Sequence, residues 1–159
     1  MPTGVLLALL SAAAGEGSAL TGQREPARQV VFVCEHGSAK SLIASLWFNR
    51  LARERNLTLS SVSRGVEPDE TVPAGVRENL RKDGLDVGDF TPARLTAADL
   101  AQAVSVVTIG ADSPLFAGLG SASLERWSDI PPASTQYEAS RDAMRQRIEA
   151  LLERLVKNR

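Results

Sequence analysis

Between Val30 and Leu51 the chain changes its hydrophobic period from continuous to helical, and the change falls on its one cysteine. Val30-Val31-Phe32-Val33 is apolar without alternation, the mark of a strand buried on both faces. Cys34 ends that run, and Glu35-His36-Gly37-Ser38-Ala39 follow as small or polar residues. After Lys40-Ser41, the residues Leu42, Ile43, Trp47, Phe48 and Leu51 fall on one helical face. Strand, tight loop and helix N-terminus thus place a thiol at a hinge where backbone N–H groups converge and the helix end adds partial positive charge. Such a loop collects an oxyanion and favours the ionised form of a neighbouring thiol.

The rest of the chain repeats the alternation of strand and helix. The pattern predicts a helix over Lys40 to Arg55, a second strand over Leu57 to Val62 ahead of Ser63-Arg64-Gly65, and a helix from Pro73 to Lys82 stopped by Asp83-Gly84. Leu85 to Pro92 reads as loop, and Leu95 to Leu100 as a short helix capped by Thr96. Ser105 to Ile109 is a third buried strand, Ala111 to Ser123 a loop with room for a helical turn, and Glu125-Arg126-Trp127 a short fourth strand. A long closing helix, about Gln136 to Val156, carries its apolar stripe on Met144, Ile148, Leu151, Leu152 and Leu155. Alternating elements of this kind predict a three-layer α/β/α domain around a four-stranded parallel sheet. Ligands in such sheets sit beyond the carboxyl ends of the strands, where Cys34 lies.

Charge and cysteine usage narrow the function classes. With 159 residues there is enough chain for one domain with a substantial core. A net charge of −1 with dispersed Lys and Arg argues against a nucleic-acid partner. One cysteine excludes a disulfide framework and a Cys-x-x-Cys redox pair. With a single histidine besides, neither a metal centre nor another cofactor is expected.

Residues 1–27 are set apart from a domain over 28–159. Val5 to Leu10 is apolar and is followed by Ser11-Ala12-Ala13-Ala14, a pattern shared with secretory signals, although no basic residue precedes Arg24. An export signal, an extension from a mis-assigned start and a packed N-terminal helix are the three readings. A signal implies a periplasmic or secreted protein, its absence a cytoplasmic one. The run is too short for a membrane span, which takes roughly 20 residues.

Phosphate chemistry at a cysteine needs an ionised thiol, a cradle for a tetrahedral dianion and a proton donor for the leaving oxygen. Lys40 stands six positions after Cys34, where the loop has curled back, so its charge can cover the anion. Ser41 can donate a hydrogen bond to the sulfur, and Gly37 permits the turn that aims amides inward. Glu35, His36, Gly37, Ser38, Ala39 and Lys40 would bind the oxyanion. His36 can donate to the anion or act on Cys34, and Arg64, ending the second strand, reads first as a surface residue and second as a further cation for the same pocket.

VVFVCEHGSAKS resembles the active-site loop of the low-molecular-weight protein tyrosine phosphatases and the related thioredoxin-coupled arsenate reductases, whose pattern is Cys, five residues, Arg, then Ser or Thr. Ser63-Arg64-Gly65 resembles the Ser-Ala-Gly end of their second strand. VPAGVRENLRKDGLDVGDFTPARLTAADL resembles their next helix and the approach to the third strand, and Trp127 with the following prolines resembles the segment before the last helix. The resemblance implies a phosphatase fold with Cys34 as nucleophile. It also exposes departures. Lys40 replaces the Arg that grips two phosphate oxygens with a planar fork, which is not a conservative exchange. Gly37 replaces a loop Asn, and Ala39 stands where many members have a second cysteine. No Asp-Pro pair supplies the general acid, for which Asp129 is the nearest candidate, displaced by about two residues.

Three functions follow, in order. The first is a phosphate-monoester hydrolase working through a cysteinyl-phosphate. The second is a non-catalytic module of the same fold that binds phosphate, arsenate or a phosphorylated partner. The third is an arsenate reductase dependent on an external thiol. The walls expected to set selectivity are Val66 to Thr71 and Ala111 to Ser123.

Overall fold

The computed structural model describes residues 26–120 and 122–158. The reading of residues 1–25 as a leader or extension lies outside the described residues. Four strands, β1 (Arg28–Cys34), β2 (Leu59–Gly65), β3 (Ala103–Ile109) and β4 (Ser123–Trp127), form one sheet in the order β2-β1-β3-β4. All the pairings are parallel, as the alternation of elements predicts. The chain moves outward from β1 to β2, then crosses back to β3. The carboxyl ends of β1 and β3 therefore flank the point where strand order reverses, and a crevice opens there.

The central strands are buried on both faces, which is why Val30 to Val33 show no alternation. Val30 and Phe32 face a core with α1 (Lys40–Glu54), α2 (Ala74–Lys82) and α4 (Tyr137–Lys157). Val31, Val33 and Val106 face a smaller cluster with Leu95, Leu100 and Phe116. The elements covering that second face are α3 (Ala97–Gln102) and a 3-10 turn over Pro114–Gly118. All the residues assigned to the inner stripes of α1 and α4 are buried. Thr96 caps α3 as expected, and Asp99 completes a capping box by accepting from the Thr96 N–H. No helix among the described residues is long and apolar enough to cross a membrane.

Strands β3 and β4 each begin two residues earlier than expected, and β2 departs from its expected bounds at both ends. Rather than Leu57 to Val62, β2 runs from Leu59 to Gly65, with Ser61, Ser63 and Gly65 turned inward. Its inner face meets α1 through a polar seam: Ser45 Oγ lies 3.0 Å from Ser61 Oγ, and Ser41 Oγ lies 2.7 Å from Ser63 Oγ. Asn49 closes the seam by accepting from the Ser61 N–H at 2.7 Å. Serines hydrogen-bonded to each other can occupy a core position that apolar periodicity does not mark.

Candidate active site

The loop after β1 is built by close backbone approach. Gly37 takes φ +64°, and a Cβ there would lie 2.7 Å from the Gly65 nitrogen. The close approach, together with the positive φ, favours glycine at this position. From Gly65 onward the chain stays zipped to the loop. The Val66 N–H donates to the Cys34 carbonyl at 3.1 Å, that of Glu67 to Glu35 at 2.8 Å, and that of Asp69 to His36 at 3.0 Å. The β1–β2 ladder in effect continues past the sheet and carries one wall of the crevice with it.

Cys34 is 6% exposed and sits at the floor. The Gly37 N–H donates to Cys34 Sγ at 3.3 Å, and Ser41 Oγ lies 3.0 Å from the sulfur. Ser63 Oγ in turn donates to the Gly37 carbonyl at 3.3 Å. This chain suits both states of the thiol. A protonated Cys34 can donate to Ser41, Ser41 to Ser63, and Ser63 to the carbonyl. For a thiolate, Ser41 turns its proton to the sulfur and Ser63 can donate to Ser41. Each hydroxyl keeps a partner in either state, so ionisation strands no buried donor. Ala39 offers no side-chain cap to α1, which leaves the first N–H groups of the helix free for an anion.

A cleft of about 320 Å³ opens over the sulfur, lined by Cys34, Glu35, His36, Ser38, Ala39 and Lys40 of the loop. Asp69 and Pro73 form one side, Ile109, Gly110 and Pro132 to Ser134 the other. Lys40 leans to the second side, where its Nζ donates to the Ile130 carbonyl at 3.3 Å. Glu35 and His36 are exposed at the rim, whereas Ser38 is buried and donates to Asp69 Oδ2 at 2.5 Å. His36 Nδ1 lies 3.3 Å from the Glu67 carbonyl and 3.6 Å from Asp69 Oδ1.

Three site candidates lie outside the cleft. Asp129 is not in the cleft: its neighbours Trp127 and Ile130 are buried anchors, so the carboxylate between them points outward. There it accepts from Arg147 of α4 at 2.5 Å, and this bond holds the carboxyl below its usual range. Arg64 does not reach the cleft either, since it pairs with Asp99 at 3.0 Å. Burial opposes the Asp99 charge, and the Arg64 and Thr96 hydrogen bonds outweigh it, leaving that carboxyl lowered as well. Third, no described residue of the Ala111 to Ser123 loop lines the cleft, whose far wall is Gly110 and the segment before α4. Asp69 was the residue missed. It falls within the wall segment Val66 to Thr71, but no spacing motif distinguishes it from a surface loop aspartate.

A single thiol that accepts from a loop amide at the strand-order switch of a four-stranded parallel sheet defines an α/β domain with a cysteine at the carboxyl edge of its sheet. Residues 29–114 match the family described as low molecular weight phosphotyrosine protein phosphatase, and the chain belongs to that family. Among solved structures it is similar to YfkJ from Bacillus subtilis, at 19% identity with a TM-score of 0.71 over 86% of this chain and 99% of the other. It is similar to an arsenate reductase from Archaeoglobus fulgidus, at 25% identity and TM-score 0.65 over 78% and 98% of the two chains. A low molecular weight protein tyrosine phosphatase from T. tengcongensis shares 21% identity and a TM-score of 0.63 over 80% and 99%. No curated protein sequence matches the chain. Phosphatases and arsenate reductases thus both stand among its structural neighbours.

Proposed function

We propose that the protein is a phosphate-monoester hydrolase acting through a cysteinyl-phosphate. The observation that carries this reading is the pair of hydrogen bonds reaching Cys34 Sγ, from the Gly37 N–H at 3.3 Å and at Ser41 Oγ, 3.0 Å away, on the floor of an open cleft. Both stabilise charge on a sulfur that must attack phosphorus as a thiolate. The loop amides and the uncapped start of α1 bind the phosphoryl oxygens. Lys40 supplies the cation, as a point charge rather than a fork. After transfer to sulfur, water displaces the thiolate and releases phosphate. Ser41 stabilises the sulfur as it leaves.

The test is turnover of aryl phosphates by the wild-type protein and by Cys34→Ser. The expected result is slow turnover that Cys34→Ser reduces by at least about 10³-fold, as expected for removal of a nucleophile. Wild-type turnover no greater than that of the variant would sink the reading. One observation favours a second reading, a phosphate-binding module without turnover: Asp129, the expected proton donor, is engaged by Arg147 outside the cleft. In that case phosphate protects Cys34 from alkylation, and no ester is hydrolysed.

A further inference from the structure

The geometry points to His36 as the proton donor to the leaving oxygen, with Asp69 as the residue that positions its ring. The assignment deepens the hydrolase reading and rests on it. It moves the acid from the segment before α4 to the opposite wall of the cleft.

The two side chains are brought together by backbone before any side-chain contact is counted. The Asp69 N–H bonds the carbonyl of His36, and the Glu67 N–H that of Glu35. His36 Nδ1 lies 3.3 Å from the Glu67 carbonyl, which can only accept, so the neutral ring carries its hydrogen on Nδ1. Nε2 is then the atom that gains and gives a proton. Asp69 is suited to the other part. Its Oδ2 accepts from Ser38 at 2.5 Å, which ties the carboxyl to the loop. With Oδ1 at 3.6 Å from Nδ1, it stands beside the ring and orients it. Glu35 adds a second carboxylate to the lining, and Lys40 Nζ is drawn to the Ile130 carbonyl on the other side of the cleft.

The Cys34 thiolate forms an S–P bond as the P–O bond to the ester oxygen breaks. That oxygen takes the bonding pair and receives the Nε2 proton of the imidazolium. In the second step neutral Nε2 takes a proton from water as the water oxygen attacks phosphorus. The S–P bond then breaks with its electrons returning to sulfur.

Loss of a general acid shows as a dependence on the leaving group, which loss of fold or of binding does not produce. The experiment is kcat/KM for His36→Gln and Asp69→Asn across aryl phosphates, from 2,4-dinitrophenyl phosphate to phenyl phosphate. His36→Gln is expected to fall about 10²-fold on phenyl phosphate and by a far smaller factor on the dinitrophenyl ester, steepening the leaving-group slope. Asp69→Asn is expected to steepen it by a smaller amount. A uniform fall across the series, or no fall, for His36→Gln overturns the assignment of the acid while leaving the nucleophile in place. An unchanged slope in Asp69→Asn alone overturns the positioning role. Wild-type turnover equal to Cys34→Ser on every ester overturns the hydrolase reading, and this assignment with it.

Discussion

The two walls that rise beside Cys34 use their polar groups in opposite ways. On the β2 side, backbone bonds from Val66, Glu67 and Asp69 fasten the wall to the loop, and Asp69 and His36 face the cleft. On the β4 side the ionisable groups are engaged away from the cleft. Asp129 bonds Arg147, the Tyr137 hydroxyl donates to Asp83 at 2.8 Å, and the Ile130 carbonyl reaches back, to Lys40. The difference teaches that a cation and a carboxylate–imidazole pair can stand on opposite sides of one cleft. On the reading proposed above, the side that draws the cation is not the side that holds the acid.

The largest effect is expected where the β2-side wall meets the loop. Ala at Gly37 puts a Cβ at φ +64° and 2.7 Å from the Gly65 nitrogen. The left-handed dihedral costs roughly 1–2 kcal/mol. Forcing backbone apart adds about 1–3 kcal/mol. Gly37→Ala should therefore lose about 3 kcal/mol in urea unfolding. Gly65→Ala pays only the second cost, since its Cβ would meet the Gly37 nitrogen at 2.8 Å without a positive φ. A Gly37→Ala protein as stable as wild type would mean that the wall and the loop are free to separate, and the contrast between the two sides would fail.

How much of this was legible in the sequence follows the same division. The strand-loop-helix around Cys34 reads directly, because a continuous apolar run and a helical stripe are both signals of period. The inner faces of α1 and α4 read for the same reason. The bounds of β2 did not, because Ser61 and Ser63 are buried by hydrogen bonding to α1 and look like surface residues in a linear pattern. Cys34, Gly37, Lys40 and Ser41 sit within eight residues of one another, so local geometry placed them. Asp69 and Asp129 depend on where distant segments return. Nothing local distinguishes an aspartate zipped over the loop from one held outward by buried neighbours and an arginine on α4. Resemblance suggested the second, and the fold brings in the first.

A middle-sized effect tests whether the β4 side is committed to the scaffold. Burial, and then the bond to Asp83, push the Tyr137 phenol well above its ordinary value, which is near 10. A phenol raised on folding stabilises the native state at pH values below its unfolded value. That contribution is lost as pH climbs toward the folded one. Tyr137 is the only tyrosine, so tyrosinate absorbance reports it alone. The native protein should remain unionised past about pH 10 while the urea-unfolded chain titrates there. Tyr137→Phe should cost about 1 kcal/mol at neutral pH, the worth of one hydrogen bond. Coincident titration of the native and unfolded proteins would show the hydroxyl to be free, and would leave the β4 side able to serve the cleft.

The smallest effect is the most discriminating. Asp129→Asn removes the one carboxylate that resemblance to relatives would choose as the acid. Arg147 keeps that carboxyl below its usual range, so at neutral pH it is charged and has no proton to give. Its side chain is 72% exposed, and an ion pair in that setting adds little to stability. Turnover of aryl phosphates should therefore stay within about twofold of wild type, with the same leaving-group slope, because a general acid lost would cost about 10²-fold or more. The result bears on both walls together. If Asp129→Asn steepened the slope and His36→Gln did not, the segment before α4 would have to swing inward during turnover and exchange Arg147 for the leaving oxygen. The separation of acid from cation would then describe only the resting protein.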